Sequence, residues 1–156
     1  MNLIFRMLTL LIASYFKPKL PIIKPVNSLN LRVLPNDIDI NMHMNNGRYL
    51  TICDLTRLDM FIRSGLAKTM FKNKWLPLIA EHTMTYKKPL GLFEKYQVKM
   101  EVTHWDEKYI FMIHTFILKG KVVAEGTSEG VIYDKVKRKV VKPEEVISKV
   151  NELKSH

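Results

Sequence analysis

The sequence changes from a helical to a strand-like period near residue 76, and this change most limits the possible folds. Before it, residues 45–66 have the length of a globular helix, with an asparagine able to cap the start and Gly65 near the end. A short strand is predicted at 29–35. After the change come four strand-like runs separated by turn signals, at 80–90, 95–105, 108–118 and 121–136. This order predicts an α+β domain in which an antiparallel sheet of about five strands packs on one long buried helix.

The 156 residues, 47% of them hydrophobic, are expected to form one folded unit. We divide the chain into an apolar helix with a proline-rich connector (1–24), the sheet-and-helix domain (25–142) and a C-terminal helix (143–156). The single cysteine, Cys53, excludes an internal disulfide, and no Cys/His spacing resembles a zinc site. We therefore expect a reducing, cytoplasmic environment and no metal.

The N-terminal segment has about fourteen largely apolar residues, fewer than the ~20 needed to span a bilayer, and lacks a signal-peptide cleavage site. On a helical wheel, Arg6, Thr9, Ala13 and Lys17 form a narrow stripe, and apolar residues cover the rest. Two interpretations stay open. Either the helix makes peripheral contact with a membrane, with Arg6, Lys17 and Lys19 facing the headgroups, or its apolar side packs on the protein's own core or on a second copy.

The formal net charge of +10 indicates that a charged partner would be anionic: nucleic acid, phospholipid or a phosphate-bearing metabolite. The densest basic cluster, at 135–142, alternates with valine, which is also typical of a solvated edge strand. Because no helix-turn-helix or RNA-binding signature is present, a nucleic-acid-binding module is a weak alternative, and we expect no nucleic-acid partner.

The polar segment "DIDINMHMNNGRYL" (37–50) lies between the predicted strand and the long helix. In this context it resembles the hotdog-fold thioesterases, chiefly the small acyl-CoA thioesterase-like proteins of the 4-hydroxybenzoyl-CoA thioesterase superfamily, with the plant acyl-ACP thioesterases as more distant relatives. The resemblance implies a hotdog fold, a homodimer or tetramer whose sheets join edge to edge, and thioester hydrolysis without a cofactor. The His-Phe-Pro-Gly-like stretch of the dehydratase branch is absent.

The resemblance also assigns roles within this segment. Asp39 occupies the position of the family's general base or nucleophile, and Asp39, Asn41 and His43 match the Asp-Asn-His trio of the plant relatives. His43 would orient water or donate to the leaving thiolate, and Asn41 would hold Asp39 or the substrate carbonyl. The alternative is that this loop only caps the helix, through Asn45 or Asn46.

Substrate-binding candidates lie at the start of the long helix and further along it. The first backbone N–H groups of the helix, at Asn46 and Gly47, are expected to be unpaired and able to stabilise an oxyanion. Asp54 and Arg57 lie three residues apart on one helical face, and form either an ion pair or a part of the site. Cys53, inside the helix, is not expected to act as a nucleophile.

Coenzyme A carries several phosphate charges, and Lys87 and Lys88 are candidates for binding them. The predicted function is hydrolysis of acyl-CoA or acyl-carrier-protein thioesters. A non-catalytic acyl-CoA-binding or lipid-binding protein of the same fold is the alternative.

Overall fold

A computed structural model of the chain describes residues 3–156, so the first two residues of the predicted N-terminal segment lie outside the description. Within these residues there are four α-helices, a short 3-10 helix at Pro35–Asp37, and six strands. Their bounds are α1 Leu3–Phe16, β1 Val26–Arg32, α2 Asn46–Ser64, α3 Leu66–Asn73, β2 Trp75–Tyr86, β3 Lys95–Trp105, β4 Ile110–Leu118, β5 Lys121–Asp134, β6 Lys139–Val141 and α4 Pro143–Lys154.

The strands form one antiparallel sheet in the order β1-β3-β4-β5-β2, with β6 beside the C-terminal end of β5. The third strand-like run, apolar on both sides, forms the central strand β4, as predicted. In β3, Val98, Met100 and Val102 are buried and alternate with more exposed residues, which confirms the predicted two-residue period. The predicted α+β architecture, one long helix against an antiparallel sheet, is confirmed.

Helix α2 begins and ends where its capping residues allow. The Asn45 side chain accepts a hydrogen bond from the Gly47 N–H at its start, and Gly65, with φ of 84°, ends it in a left-handed conformation that favours glycine. Its buried face includes Tyr49 and Ile52, which belong with Phe116 of β4 to the largest hydrophobic cluster. This packing holds the N-terminal end of α2 against the sheet.

Two features were not predicted from the sequence. Residues after Gly65 form the separate helix α3, and the basic cluster 135–142 is a turn followed by the three-residue strand β6 rather than one continuous edge strand. Both depend on residues in the left-handed region, Gly65 and Arg138, the latter with φ of 56°.

Helix α1 packs on the domain through a mixed face that carries Arg6, Leu10 and Ser14, whereas Thr9 and Ala13 of the predicted polar stripe are exposed. Arg6 is only 6% exposed, because its guanidinium binds the buried carboxylate of Asp37 at 2.7 Å. Ser14 donates to the buried carboxylate of Asp59 at 2.6 Å. The expectation that Arg6 and Lys17 face lipid headgroups is therefore wrong. The Lys17 ammonium binds the same Asp59 carboxylate at 3.1 Å, and buried carboxylates require charged or hydrogen-bonding partners.

Apart from Leu3 and Leu10, which pack against the core, most apolar residues of α1 face away from the domain. The exposed residues of α1 include Ile4, Phe5, Leu8, Ile12, Tyr15 and Phe16. Across residues 3–156, no helix combines the length and the apolar character required to cross a bilayer.

Candidate active site

The loop between the 3-10 helix and α2 is held in a tight turn by its own backbone. The Asp39 N–H donates to the His43 carbonyl at 2.9 Å, and the Met42 N–H donates to the Asp39 carbonyl at 3.1 Å. The Met44 N–H donates to the Leu90 carbonyl at 2.8 Å, which fastens the loop to the segment before β3. Asp39, Asn41 and His43 are thus carried on one ordered turn.

The two aspartates of this loop have different environments. Asp37 is 2% exposed and bound on several sides: by Arg6, by the Leu34 N–H at 2.9 Å, and by the Arg48 Nε at 3.2 Å. Asp39 is half-buried. Among residues 3–156, its carboxylate accepts one hydrogen bond, from the Asn41 N–H at 2.8 Å. Asp37 is therefore a structural residue, and the carboxylate of Asp39 keeps an oxygen free for water or substrate.

A groove of about 300 Å³ lies beside this turn, between the start of α2 and the end of β2. The structure brings six of the nine candidate residues into it; its lining comprises Asp39, Asn41, His43, Met44, Asn46, Tyr49, Tyr86, Lys87, Lys88 and Pro89. The other three candidates are Gly47, Asp54 and Arg57, which do not line this groove.

The N-terminus of α2 offers fewer free donors than expected. The Gly47 N–H donates to the Asn45 Oδ1 at 2.8 Å, and the Arg48 N–H to the Asn45 carbonyl at 2.8 Å. The expectation that the Gly47 N–H is unpaired is wrong, because the asparagine cap takes it. The Asn46 N–H has no acceptor within residues 3–156 and lies at the positive end of the helix dipole.

Tyr86 is a groove residue that the sequence did not reveal as a candidate. Its hydroxyl donates to the Asn46 carbonyl at 2.9 Å, which joins the end of β2 to the start of α2. Burial raises the pKa of Tyr86, so its hydroxyl stays protonated at physiological pH. Its position directly before the two candidate lysines was the available signal.

The backbone N–H groups of Lys87 and Lys88 both donate to the Val123 carbonyl, at 2.8 and 3.0 Å. These bonds hold the backbone at the end of β2, and both lysine side chains are exposed at the rim of the groove. The Lys87 ammonium lies 3.4 Å from the Glu125 carboxylate, so part of its charge is already balanced. Lys88 is the better placed of the two to meet an anionic ligand.

Asp54 and Arg57 form the predicted ion pair. Arg57 is buried, whereas the Asp54 side chain is 65% exposed. Both line a second groove of about 480 Å³ beside α3 and β2, whose other walls are largely apolar. The ion-pair interpretation is confirmed, and the pair lies outside the Asp39 groove.

Below this pair, Arg57 contacts a buried polar cluster between α2 and the sheet. Its Nη1 lies 3.2 Å from His114 Nε2 and 3.3 Å from Ser128 Oγ, and those two atoms are 2.8 Å apart. Burial, the Arg57 charge and the neighbouring His82 lower the pKa of His114 to about 3. Burial also lowers the pKa of His82 and raises the pKa of the Cys53 thiol to about 12. Both imidazoles are neutral at physiological pH.

The wrapped helix, the antiparallel sheet and the polar turn before the helix define a hotdog-type domain, and comparison with known proteins identifies its family. The chain matches the family described as "Thioesterase-like superfamily" over residues 33–150, and it belongs to that superfamily. It is 32% identical over 123 residues to Protein THEM6 of Xenopus laevis, an alignment covering 72% of this chain and 59% of that protein. The chain thus spans little more than half of that relative's length.

Solved structures agree with this fold. The probable thioesterase YbaW from Escherichia coli has a TM-score of 0.73 at 21% identity, covering 79% of this chain and 95% of that one. The hypothetical protein SAV2348 from Staphylococcus aureus, solved in complex with CoA, has a TM-score of 0.71 at 18% identity, covering 84% of both chains. At these identities the similarity establishes the fold alone.

Proposed function

We propose that this protein hydrolyses acyl thioesters of coenzyme A or acyl-carrier protein, with Asp39 as general base or nucleophile. The observation that carries the proposal is the contrast between the fully bound Asp37 and the available carboxylate of Asp39 in a groove beside a helix N-terminus. Membership of the thioesterase-like superfamily supports the same reaction class.

In the general-base form of the reaction, Asp39 takes a proton from a water molecule, and the water oxygen attacks the thioester carbonyl carbon. The negative charge that develops on the carbonyl oxygen is stabilised by the Asn46 N–H and the positive end of α2. The carbon–sulfur bond then breaks, and the leaving thiolate receives a proton from His43 or from the protonated Asp39. Asn41 keeps Asp39 oriented through the bond from its backbone N–H.

Lys87 and Lys88 extend the site toward an anionic substrate. We assign them to the phosphate groups of coenzyme A, since they lie at the exposed rim of the groove; CoA binding by the structural neighbour SAV2348 is consistent with this. Replacing both with glutamine should raise KM for acyl-CoA several-fold at low salt and leave kcat nearly unchanged. An unaltered KM would remove both lysines from the substrate site.

We assign a homodimer to the working protein. Strand β2 ends the sheet with one side unpaired and carries the exposed apolar residues Leu76, Leu78 and Ile79. The adjoining apolar groove near Asp54 and Arg57 continues this surface. Pairing of two β2 edges would satisfy the unpaired backbone groups of the strand and cover its apolar side chains and the adjoining groove.

We also assign the apolar face of α1 to a lipid surface. Lys19 and Lys24 are exposed and lie just beyond the C-terminal end of this helix, and the chain carries a net charge of +10. An apolar helix face bordered by lysines matches the requirements of an anionic membrane interface. A second copy of the chain on the same face is the competing occupant.

The decisive experiment is a panel of acyl-CoA esters of increasing chain length, together with an acyl-carrier protein, assayed for release of free thiol. Enzymatic hydrolysis should appear for at least one chain length and saturate with substrate. Tight acyl-CoA binding without thiol release would replace the enzyme with the non-catalytic binding protein of the same fold.

A further inference from the structure

Three potential metal ligands that are far apart in the sequence meet between α2 and the sheet. Cys53 lies on α2, His82 on β2 and His114 on β4. The Cys53 sulfur and one ring nitrogen of each histidine all lie within 4.8 Å of one another. In the described part of the chain, no other three His, Cys, Asp or Glu side chains are grouped in this way.

Both histidines carry a buried nitrogen with no partner among residues 3–156. These atoms are His82 Nε2 and His114 Nδ1, and His114 is completely buried. Buried polar atoms are nearly always paired with protein, water or an ion, because an unpaired one loses its hydration without compensation. The histidines that carry these atoms are grouped with the Cys53 thiol, and one bound ion that accepts two nitrogen lone pairs would satisfy both.

We propose that Cys53, His82 and His114 bind one transition-metal ion of the zinc class, which fastens α2 to strands β2 and β4. The thiol gives its proton to solvent when the sulfur–metal bond forms, and a water molecule fills the fourth position. A sulfur and two imidazole nitrogens form a donor set that suits zinc and its neighbours in the first transition row.

Ser128 gives His114 the orientation that this role requires. Ligating histidines usually donate their other ring N–H to a nearby acceptor, which fixes the tautomer. When Nδ1 of His114 binds the ion, Nε2 carries the proton and donates to Ser128 Oγ at 2.8 Å. Arg57 Nη1, which lies 3.2 Å from Nε2, then donates to Ser128 Oγ at 3.3 Å and not to the ring. In the other tautomer, the Nδ1–H is a buried donor without an acceptor.

The local charge and geometry permit binding after a small contraction. Arg57 is the nearest cation, and its charge is balanced by Asp54; the ion brings two positive charges and the thiolate cancels one. Zinc bonds of about 2.0–2.3 Å place tetrahedral ligand atoms roughly 3.3–3.8 Å apart. The three atoms must therefore approach by about 1 Å, which half-buried His82 on an edge strand can provide.

The test uses the full chain after stripping with a chelator and titration with Co²⁺. Binding should produce a thiolate-to-cobalt charge-transfer absorption that saturates at about one ion per chain, and Zn²⁺ should abolish it and raise the melting temperature. Because Cys53 is the single cysteine of the sequence, any such absorption reports on this residue.

Variants then decide whether the imidazoles take part. His82→Ala should weaken Co²⁺ binding at least a hundredfold, and Ser128→Ala about ten- to a hundredfold. The matched control is His104→Ala, at an exposed histidine of β3, which should bind as the parent does. His82 is half-buried, so its loss should leave the fold intact.

Two results would overturn the proposal. A stripped protein that shows no cobalt–thiolate absorption at micromolar Co²⁺ would mean that Cys53 is not part of a metal site. An absorption that persists unchanged in His82→Ala would mean that Cys53 binds the ion without the histidine cluster.

Discussion

Single residues of the same type have different roles here because their partners differ. Asp37 and Asp39 are two positions apart, yet the first is held by two arginines and the second has one backbone partner within residues 3–156. A carboxylate whose oxygens are all bound cannot take a proton from water, whereas a carboxylate with a free oxygen can. The residue-level hypothesis therefore separates catalysis from stability at neighbouring positions.

Asp39→Asn keeps the size of the side chain but removes its charge and its ability to accept a proton. We expect turnover to fall at least about a hundredfold while the melting temperature stays close to that of the parent, since general-base catalysis typically contributes about 10²–10⁴-fold. His43→Ala and Asn41→Ala should cost less. Thiol release and thermal unfolding are measured on the same preparations.

Asp37→Asn is the matched control, and it should have the opposite effect. Loss of this carboxylate leaves Arg6 buried without its anionic partner, a defect that costs about 3–5 kcal/mol. The melting temperature should fall strongly, and the protein that remains folded should retain turnover. If Asp39→Asn keeps near-parental turnover and Asp54→Asn abolishes it, the base is on the helix and not in the loop.

At the level of elements, α1 is attached to the domain through a buried carboxylate. Asp59 accepts hydrogen bonds from Ser14 and Lys17 of α1 and its connector, from Asn27 of β1 and from Arg63 of α2. Burial raises the pKa of Asp59, but these hydrogen bonds outweigh burial, and the net pKa lies below the usual 3.8. The stability that Asp59 gives to the attachment of α1 therefore depends on pH.

The sign of this linkage follows from the lowered pKa. The stabilisation is fully present above the unfolded value of 3.8 and is lost as pH falls through the lower folded value. We expect Asp59→Asn to lower the free energy of unfolding at neutral pH and to flatten its decline below pH 4, as measured by denaturant unfolding across pH. A decline as steep as that of the parent would show that other carboxylates govern acid unfolding. Glu152→Gln, at an exposed position of α4, is the control.

The outward apolar face of α1 can be tested without disturbing the contact. Ile12→Gln with Phe16→Gln changes two side chains that are 66% and 80% exposed. Each apolar side chain contributes about 1.5–3 kcal/mol when it is buried, so binding to anionic vesicles should fall more than tenfold with the melting temperature unchanged. Phe71→Gln, at a 91% exposed position of α3, is the control. If the parent protein does not bind vesicles and the double variant has a different oligomeric state, a second copy of the chain covers this face.

At the level of the whole molecule, the sheet ends in an unpaired strand with apolar side chains. We expect a dimer by light scattering at micromolar concentration, and we expect Leu78→Lys to shift it toward monomer because a lysine on an edge strand opposes pairing. A monomeric parent would contradict pairing through β2. Turnover measured in the same Leu78→Lys preparation shows whether the Asp39 groove needs the second copy.

Much of this fold could be predicted from local sequence patterns. The alternation in β3, the asparagine cap of α2 and the turn signals between strands each depend on residues close in the chain, so their physics is local. The turn bearing Asp39, Asn41 and His43 was recognised through its resemblance to the hotdog-fold thioesterases, and the structure places all three beside one groove. The role of each remains a prediction.

Other features required the tertiary structure because their partners are distant in the sequence. Arg6 meets Asp37 across 31 positions, which decides that the face of α1 carrying Arg6, Leu10 and Ser14 is turned inward. Cys53, His82 and His114 come from three elements, and no spacing pattern could reveal their proximity. Local sequence patterns were sufficient for the order of the main elements and for the polar motif. Desolvation of charged and polar groups, which acts only once the chain is folded, decided which residues are paired, exposed or brought together.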